Sequence, residues 1–286
     1  MKKIVISGAS GFVGSSLTTY FTKRKYQVVT INRSDLDDTK KLTSIIDGSF
    51  AVINLAGANI INRWSQKYKK LLYSSRINTT NSLIEAMKQC EIKPKKFIST
   101  SAVGIYKNDQ KYNETANTLA DDFLGTLCQD WEKAALKAAD LNIDVSIFRF
   151  GIVLGKGGAL AKMITPFKLG VGGIIGDGKQ AMSFIHIDDL INAYHFILES
   201  ETINGIFNLA TPIPTTNFLF TKALGKVLNR PTILPIPQFV LNLALSEGAK
   251  VLTDGQSALP NHLLESGFVF KYKTIEETLK NLVLKF

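Results

Sequence analysis

The sequence predicts an α/β fold: a doubly wound parallel sheet followed by a smaller, mostly helical C-terminal region. Three observations carry this expectation. The chain opens with a short apolar run, Lys3 to Ser7, which ends in a glycine-rich turn and passes directly into residues with helical spacing. Apolar runs of strand length then alternate with amphipathic stretches as far as Arg149, the pattern of parallel strands joined by crossover helices. From Gly151 onward the texture changes to glycine-rich loops, and later to helix punctuated by Pro231, Pro235 and Pro237.

Size and composition agree with that class. A chain of 286 residues is long enough for one large domain or two intimate ones. At 45% hydrophobic and 20% charged it reads as a soluble globular protein, and no apolar run approaches the length of a membrane span. Lys2 and Lys3 ahead of an apolar run imitate a leader peptide, but Ser7 to Gly11 break that run too early. Cys90 and Cys128 lack metal-site spacing and suggest reduced thiols in a cytoplasmic protein. His186, His195 and His262 form no ligand set, so no metal is expected. The net charge is +10, but the basic residues fall in scattered groups such as Lys23-Arg24-Lys25 and Lys93 to Lys96. With no basic stripe interleaved with aromatics, these read as solvated faces and not as a nucleic-acid surface.

Taken in order, the first turn is Gly8-Ala9-Ser10-Gly11-Phe12-Val13-Gly14. Gly8 allows the turn, Gly11 lets the backbone approach a pyrophosphate, and Gly14 lets the helix pack close to the strand. The free N–H groups of the helix start then face the anion. Gln27 to Asn32 reads as the second strand, whose end is where a dinucleotide fold meets the adenosine ribose. Asn32, Arg33 and Ser34 stand there instead of an acid, which suits a 2′-phosphate and favours NADP(H) over NAD(H). Asp35, Leu36 and Asp37 follow. Either they hold the adenine, or Asp35 or Asp37 caps the helix that runs through Ile46.

Only 18 residues separate Asn32 from the next strand, Ala51 to Leu55. That is room for one helix, so the edge strand beyond the second is expected to be reduced or absent. Ala56 and Gly57 end the third strand with small side chains that let a ligand come close. The loop after them carries Asn59, Arg63 and Trp64, which are substrate-pocket candidates, although Trp64 could equally cap the core. Ser65 to Cys90 is a long helix, Lys96 to Thr100 a strand, Asp121 to Leu141 a helix and Asp144 to Arg149 a strand. Ligands should gather at the carboxyl ends of these strands, where Gly8, Arg33, Ala56, Ser101 and Arg149 fall. Arg149 is read either as an anion contact or as half of an ion pair at the core edge. Met182 to Ile187 looks like a strand, Asp188 and Asp189 like N-caps of the helix to Leu198, and His186 like a structural residue. Ile206 to Ala210 is the last short strand. Residues 1–154, with 182–211 returning to them, form the expected cofactor-binding unit; 155–181 and 212–286 form the substrate region.

These residues resemble the short-chain dehydrogenase/reductase superfamily, on its extended and atypical side. The resemblance covers nearly the whole chain. It rests on Gly8 to Gly14, Asn54 to Gly57, Asn78 within Ser75 to Thr80, Ser99 to Tyr106, Arg149 to Gly155 and Phe184 to Asp189. Asn54 to Asn59 with Arg63-Trp64, Gly158 to Met163, and Gly255 to Tyr272 narrow it to the bacterial sugar-nucleotide-epimerase-like proteins of the "epimerase family". It implies a Rossmann-type sheet holding NADP(H), with NAD(H) second. The cofactor contacts it adds are Leu55, Ala56, Gly57, Asn78, Ser99, Phe150, Gly151 and Ile152. It also implies a small-molecule substrate and a homodimer formed through the two long helices.

In the superfamily a serine after the strand polarises a carbonyl, and a Tyr-x-x-x-Lys pair supplies the proton. Ser101 matches the serine. Leu124 and Cys128 occupy the places of the pair, and no tyrosine lies between Tyr112 and Tyr194. Two functions follow. One is an NADP(H)-dependent oxidoreductase or epimerase-like enzyme acting on a small carbonyl or nucleotide-sugar-like substrate, with Ser101 orienting it and Tyr106 or the Asn59 to Trp64 loop handling the proton. The other is a non-catalytic NADP(H)-binding sensor or assembly protein.

Overall fold

The computed structural model describes residues 1–108 and 110–283. In chain order it builds β1 (Lys3–Ser7), α1 (Phe12–Lys23), β2 (Gln27–Ile31), α2 (Thr39–Ile46), β3 (Ala51–Asn54), α3 (Gln66–Gln89) and β4 (Lys96–Ala102). Then come β5 (Lys111–Tyr112), α4 (Phe123–Leu136), β6 (Asp144–Phe150), β7 (Ile152–Leu154), α5 (Gly158–Lys168), β8 (Phe184–His186), α6 (Ile187–Glu199) and β9 (Gly205–Leu209). The rest is α7 (Asn217–Leu228), α8 (Gln238–Leu245), α9 (Lys250–Thr253), β10 (Ser257–Ala258), α10 (Asn261–Glu265) and α11 (Ile275–Val283).

Six strands form one parallel sheet in the order β2-β1-β3-β4-β6-β9. β2 is its edge, so the short segment between Asn32 and Ala51 adds a helix and no further strand, as expected. The order turns back between β1 and β3, which is where an open α/β sheet leaves a crevice at its carboxyl end. Alternation sends Ile4 and Ile6 to one face, with Leu17, Phe21 and Leu190 from α1 and α6. Val5 and Val52 go to the other, with Leu42, Leu83 and Met87 from α2 and α3. Because both faces are covered, the strands read as continuous apolar runs.

Register decides which residues become neighbours. Ser7, Asn54 and Ser99 are matched across β1, β3 and β4, and Ser101, Arg149 and Asn208 across β4, β6 and β9. β8 pairs with β7 in a separate two-stranded sheet, and β5 pairs with β10. Neither β7 nor the β5–β10 pairing was legible in the sequence. The helix after β8 corrects another expectation. Its N-cap is His186, whose Nδ1 accepts from Asp188 N–H at 2.9 Å. The buried Asp189 does not cap; it accepts from the Lys271 and Tyr272 N–H groups at 2.8 and 2.9 Å and ties the C-terminal segment to α6. Burial raises the Asp189 pKa against those two donors. Cys90 and Cys128 are both buried free thiols.

Candidate functional site

The glycine turn is built as its spacing implies. Gly8 has φ +78°, and a Cβ there would stand 2.7 Å from the Leu55 carbonyl carbon. A Cβ on Gly14 would stand 2.3 Å from Gly8 O, so α1 can approach β1 only with glycine at that point. Gly11 differs: its Cβ would meet only Gly8 O, at 3.4 Å, so the protein itself leaves room for a side chain there. α1 starts after Gly11 with no side-chain cap and no acid in its first turn. Its leading N–H groups therefore present the positive end of the helix to whatever lies in front of it.

A cavity of about 470 Å³ opens from this point. Gly8, Gly11, Phe12, Val13 and Gly14 line one end, Leu55, Gly57, Phe150, Gly151 and Ile152 the middle, and Asn59, Ser101, Leu124, Cys128 and Trp131 the other end. Ser10 and Ala56 flank it without lining it. Among the described residues no group of three or more His, Cys, Asp and Glu could hold a metal ion. No helix among them is long and apolar enough to cross a membrane.

At the end of β2, Asn32, Arg33 and Ser34 are exposed and open a tight helical turn, Arg33–Asp37. Asp35 is buried beneath it and is not free to hold an adenine. Its carboxylate pairs with Lys41 Nζ at 2.7 Å and accepts from Asn32 N–H at 2.8 Å. Lys41, and after it the Asn32 N–H, hold that carboxyl below its usual range. The cap of α2 is neither Asp35 nor Asp37 but Asp38, which accepts from Lys41 N–H. Leu36 packs against the core on the α2 side of the sheet.

Beyond β4 the register row becomes a polar network. Ser101 Oγ donates to Glu132 Oε1 at 2.6 Å. Arg149 holds the same carboxylate with two N–H groups, Nε to Oε1 at 2.8 Å and Nη2 to Oε2 at 2.7 Å. Its Nη1 donates to the Tyr106 hydroxyl at 2.7 Å, and Tyr106 donates to Asn208 Oδ1 at 2.9 Å. Burial works against the Arg149 cation, but the Glu132 carboxylate outweighs it and raises its pKa. Two site candidates are thereby corrected. Arg149 is the ion-pair half, with its fork directed at Glu132, and it does not line the cavity. Tyr106 is fully buried with its hydroxyl pinned between Arg149 and Asn208, and burial raises its pKa. It does not line the cavity.

Other candidates are displaced for packing reasons. Trp64 is buried with its indole N–H on Ile60 O and its ring edge against Phe123, so it caps the core, while Arg63 is exposed beside it. Ser99 is buried, near Asn54 Nδ2 at 3.5 Å. Asn78 is exposed on the outer side of α3. Two residues earlier, Arg76 turns inward and lines the cavity beside Gly57. Helical spacing carried that signal: Leu72, Arg76 and Thr80 share a face one turn apart, Leu72 and Thr80 are fully buried, and Asn78 sits roughly 200° around from Arg76. Glu132 was legible in the same way, one turn beyond Leu124 and Cys128 on α4. Those two residues wall the cavity with apolar surface. Leu124 lies against Gly104, where a Cβ would stand 2.5 Å from its Cδ2. Burial pushes the Cys128 thiol up to about 12, so it is not a thiolate.

The comparisons with known proteins agree with this geometry. The family model described as the NAD dependent epimerase/dehydratase family matches residues 4–210, and a domain of unknown function, DUF1731, matches residues 236–282. An epimerase family protein of Staphylococcus aureus is 36% identical over 300 residues, covering 100% of both chains. The chloroplastic SDR39U1 homolog of Arabidopsis thaliana is 34% identical, over 98% of this chain and 86% of its own. The crystal structure of human epimerase family protein SDR39U1 with NADPH superposes with a TM-score of 0.92 at 30% identity, covering 99% of this chain and 100% of that one. A nucleoside-diphosphate sugar epimerase from Corynebacterium glutamicum superposes at 0.80 with 27% identity, over 99% of this chain and 59% of its own. The fold is thus shared with a known group, and this chain belongs to the NAD-dependent epimerase/dehydratase family.

Proposed function

We propose that this protein binds NADP(H) in the cavity and passes a hydride between its nicotinamide and a small carbonyl or alcohol substrate. The reading rests on one observation: a single cavity runs from the uncapped start of α1 to Ser101. The NADPH carried by the human relative of the same fold supports the cofactor. Gly8, Gly11 and Gly14 would admit the pyrophosphate, and the exposed Asn32, Arg33 and Ser34 would take the 2′-phosphate. Leu55, Gly57, Phe150, Gly151 and Ile152 would line the rest of its path. Residues 1–154 with 182–211 would then be the cofactor unit, and 155–181 with 212–286 the substrate region.

When bound, the cofactor supplies or accepts the hydride, which is its own chemistry. The chain's part is the proton. Ser101 gives its hydrogen to Glu132, so its oxygen is left as an acceptor for a substrate hydroxyl. In the oxidative direction the substrate hydroxyl would pass its proton to Ser101 as Ser101 passes its own to the Glu132 carboxylate; reduction would start from the protonated Glu132 acid and run the same two transfers in reverse. Arg149 holds the carboxylate still, and Asn59, which lines the same cavity, would contact the substrate. Leu124 and Cys128 exclude water there and cannot move a proton themselves.

Fluorescence titration should give tighter NADPH than NADH, and Arg33→Ala should erase the difference. NADPH consumption over a panel of carbonyl compounds and nucleotide sugars should then fall at least about 100-fold in Ser101→Ala, the scale of one acid–base group. The apolar Leu124 and Cys128 favour a second reading, a non-catalytic NADP(H) sensor. It gains if wild type and Ser101→Ala share one background rate while both still bind NADPH.

A further inference from the structure

Arg76 is the cation that the cavity leaves over. Its guanidinium lies against Gly57, where a Cβ would approach Cζ to 3.1 Å, and over the Trp131 ring at 5.2 Å. It donates to two backbone carbonyls, Nη1 to Leu72 O at 3.1 Å and Nη2 to Ala58 O at 3.0 Å. Among the described residues no carboxylate pairs with it, in contrast to Arg149 on the same side of the sheet. Burial lowers its pKa. A partly buried guanidinium without a counter-ion is costly to maintain. Two carbonyls orient it while leaving Nε–H and one hydrogen on each terminal nitrogen, enough for a bidentate contact with an oxyanion.

Position argues against the cofactor's pyrophosphate as that oxyanion. Gly8 touches Leu55 and Ala56, and Gly57 touches Arg76. Arg76 is therefore on the far side of the β3 end from the start of α1, facing Trp131 and Cys128 of α4. Ile60, Leu127 and Trp131 are apolar parts of the cavity wall, which also carries Asn59, Ser101 and Asp254. A neighbouring apolar recess of about 150 Å³, bounded by Met163, Phe167 and Phe220, shares Ile152 and Met182 with the cavity.

We propose that Arg76 is the oxyanion site for the substrate, which carries a carboxylate or phosphate on an otherwise apolar body together with its carbonyl or hydroxyl. The proposal rests on the reading of this cavity as a cofactor-and-substrate site, and it deepens that reading.

The test uses the full chain saturated with NADPH and three probes: benzoate, hexanoate and inorganic phosphate. Thermal unfolding is followed for wild type, Arg76→Lys and Arg76→Gln, with NADPH affinity measured for each. The expected result is a rise in melting temperature with the carboxylates in wild type. It should shrink in Arg76→Lys, which keeps the charge and loses the fork, and vanish in Arg76→Gln. NADPH affinity should stay within about two-fold throughout. A rise with phosphate alone, lost in the same variants, supports the oxyanion site and assigns phosphate as its source. A shift that survives in both variants, no shift in wild type with any probe, or a ten-fold loss of NADPH affinity in Arg76→Lys overturns the proposal. If wild type fails to bind NADPH, the proposed function falls, and the probe titrations on the free protein still read Arg76 separately.

Discussion

Cutting the Arg149–Glu132 pair from one side should be among the most damaging single changes in the sheet. Glu132 is 6% exposed and Arg149 3%, and they share two N–H to oxygen contacts of 2.7 and 2.8 Å. Arg149→Met would leave a buried carboxylate with only the Ser101 hydroxyl as donor, and it would remove one partner of Tyr106. Breaking a buried pair from one side costs about 3–5 kcal/mol. At roughly 2–4 °C per kcal/mol for a chain of this size class, the melting temperature should fall by roughly 6–20 °C. The double variant Arg149→Met/Glu132→Leu removes the stranded charge. It leaves Ser101 without its acceptor, which costs about 1–3 kcal/mol, so it should recover about half of the loss. Urea unfolding of the two variants and wild type, with slopes compared, measures this. If the double variant is no more stable than Arg149→Met, the cost does not lie in an uncompensated charge and the argument fails.

Three further outcomes follow from the same structure. Gly14→Ala would force a Cβ to within 2.3 Å of Gly8 O, so it should open the turn and weaken NADPH binding at least ten-fold in a fluorescence titration. Asp189→Asn should cost about 1–3 kcal/mol by weakening the acceptor for the Lys271 and Tyr272 N–H groups, and hydrogen exchange should speed up in residues 268–283 before the sheet. Burial lowers the pKa of His195, so the native state refuses a proton that the unfolded chain accepts. Its contribution is fully present above the ordinary value near 6.5 and is lost as pH falls from there through the lowered value. The melting temperature should therefore drop between pH 7.5 and 5.5, and His195→Gln should flatten that slope.

Local chemistry made much of the frame legible. An apolar run, three glycines three residues apart and a helical pattern can hardly be built other than as strand, tight turn and helix. The small Ala56 and Gly57 marked the end of β3, and the 18 residues after Asn32 excluded another edge strand. The site was legible where a residue acts through its own backbone, as Gly8 and Gly14 do. It was less legible where direction matters. Asn78 and Arg76 lie two positions apart on one helix, and only rotation about the helix axis tells which faces the cavity. Trp64 read equally as wall or core until its indole was seen to meet Ile60 O.

The sequence by itself determined the alternating architecture, the glycine turn and the absence of a Tyr-x-x-x-Lys pair, because each is a matter of residue type at short spacing. Tertiary structure decided which polar groups meet Ser101. Ser101, Glu132, Arg149 and Asn208 are spread over 108 positions of the chain (from 101 to 208), and only the register of β4, β6 and β9 and the packing of α4 bring them together. Burial then made the choice that the sequence left open. A charge in that row is stable only when paired, so Arg149 was committed to Glu132, and Arg76 was left as the cation that faces the cavity.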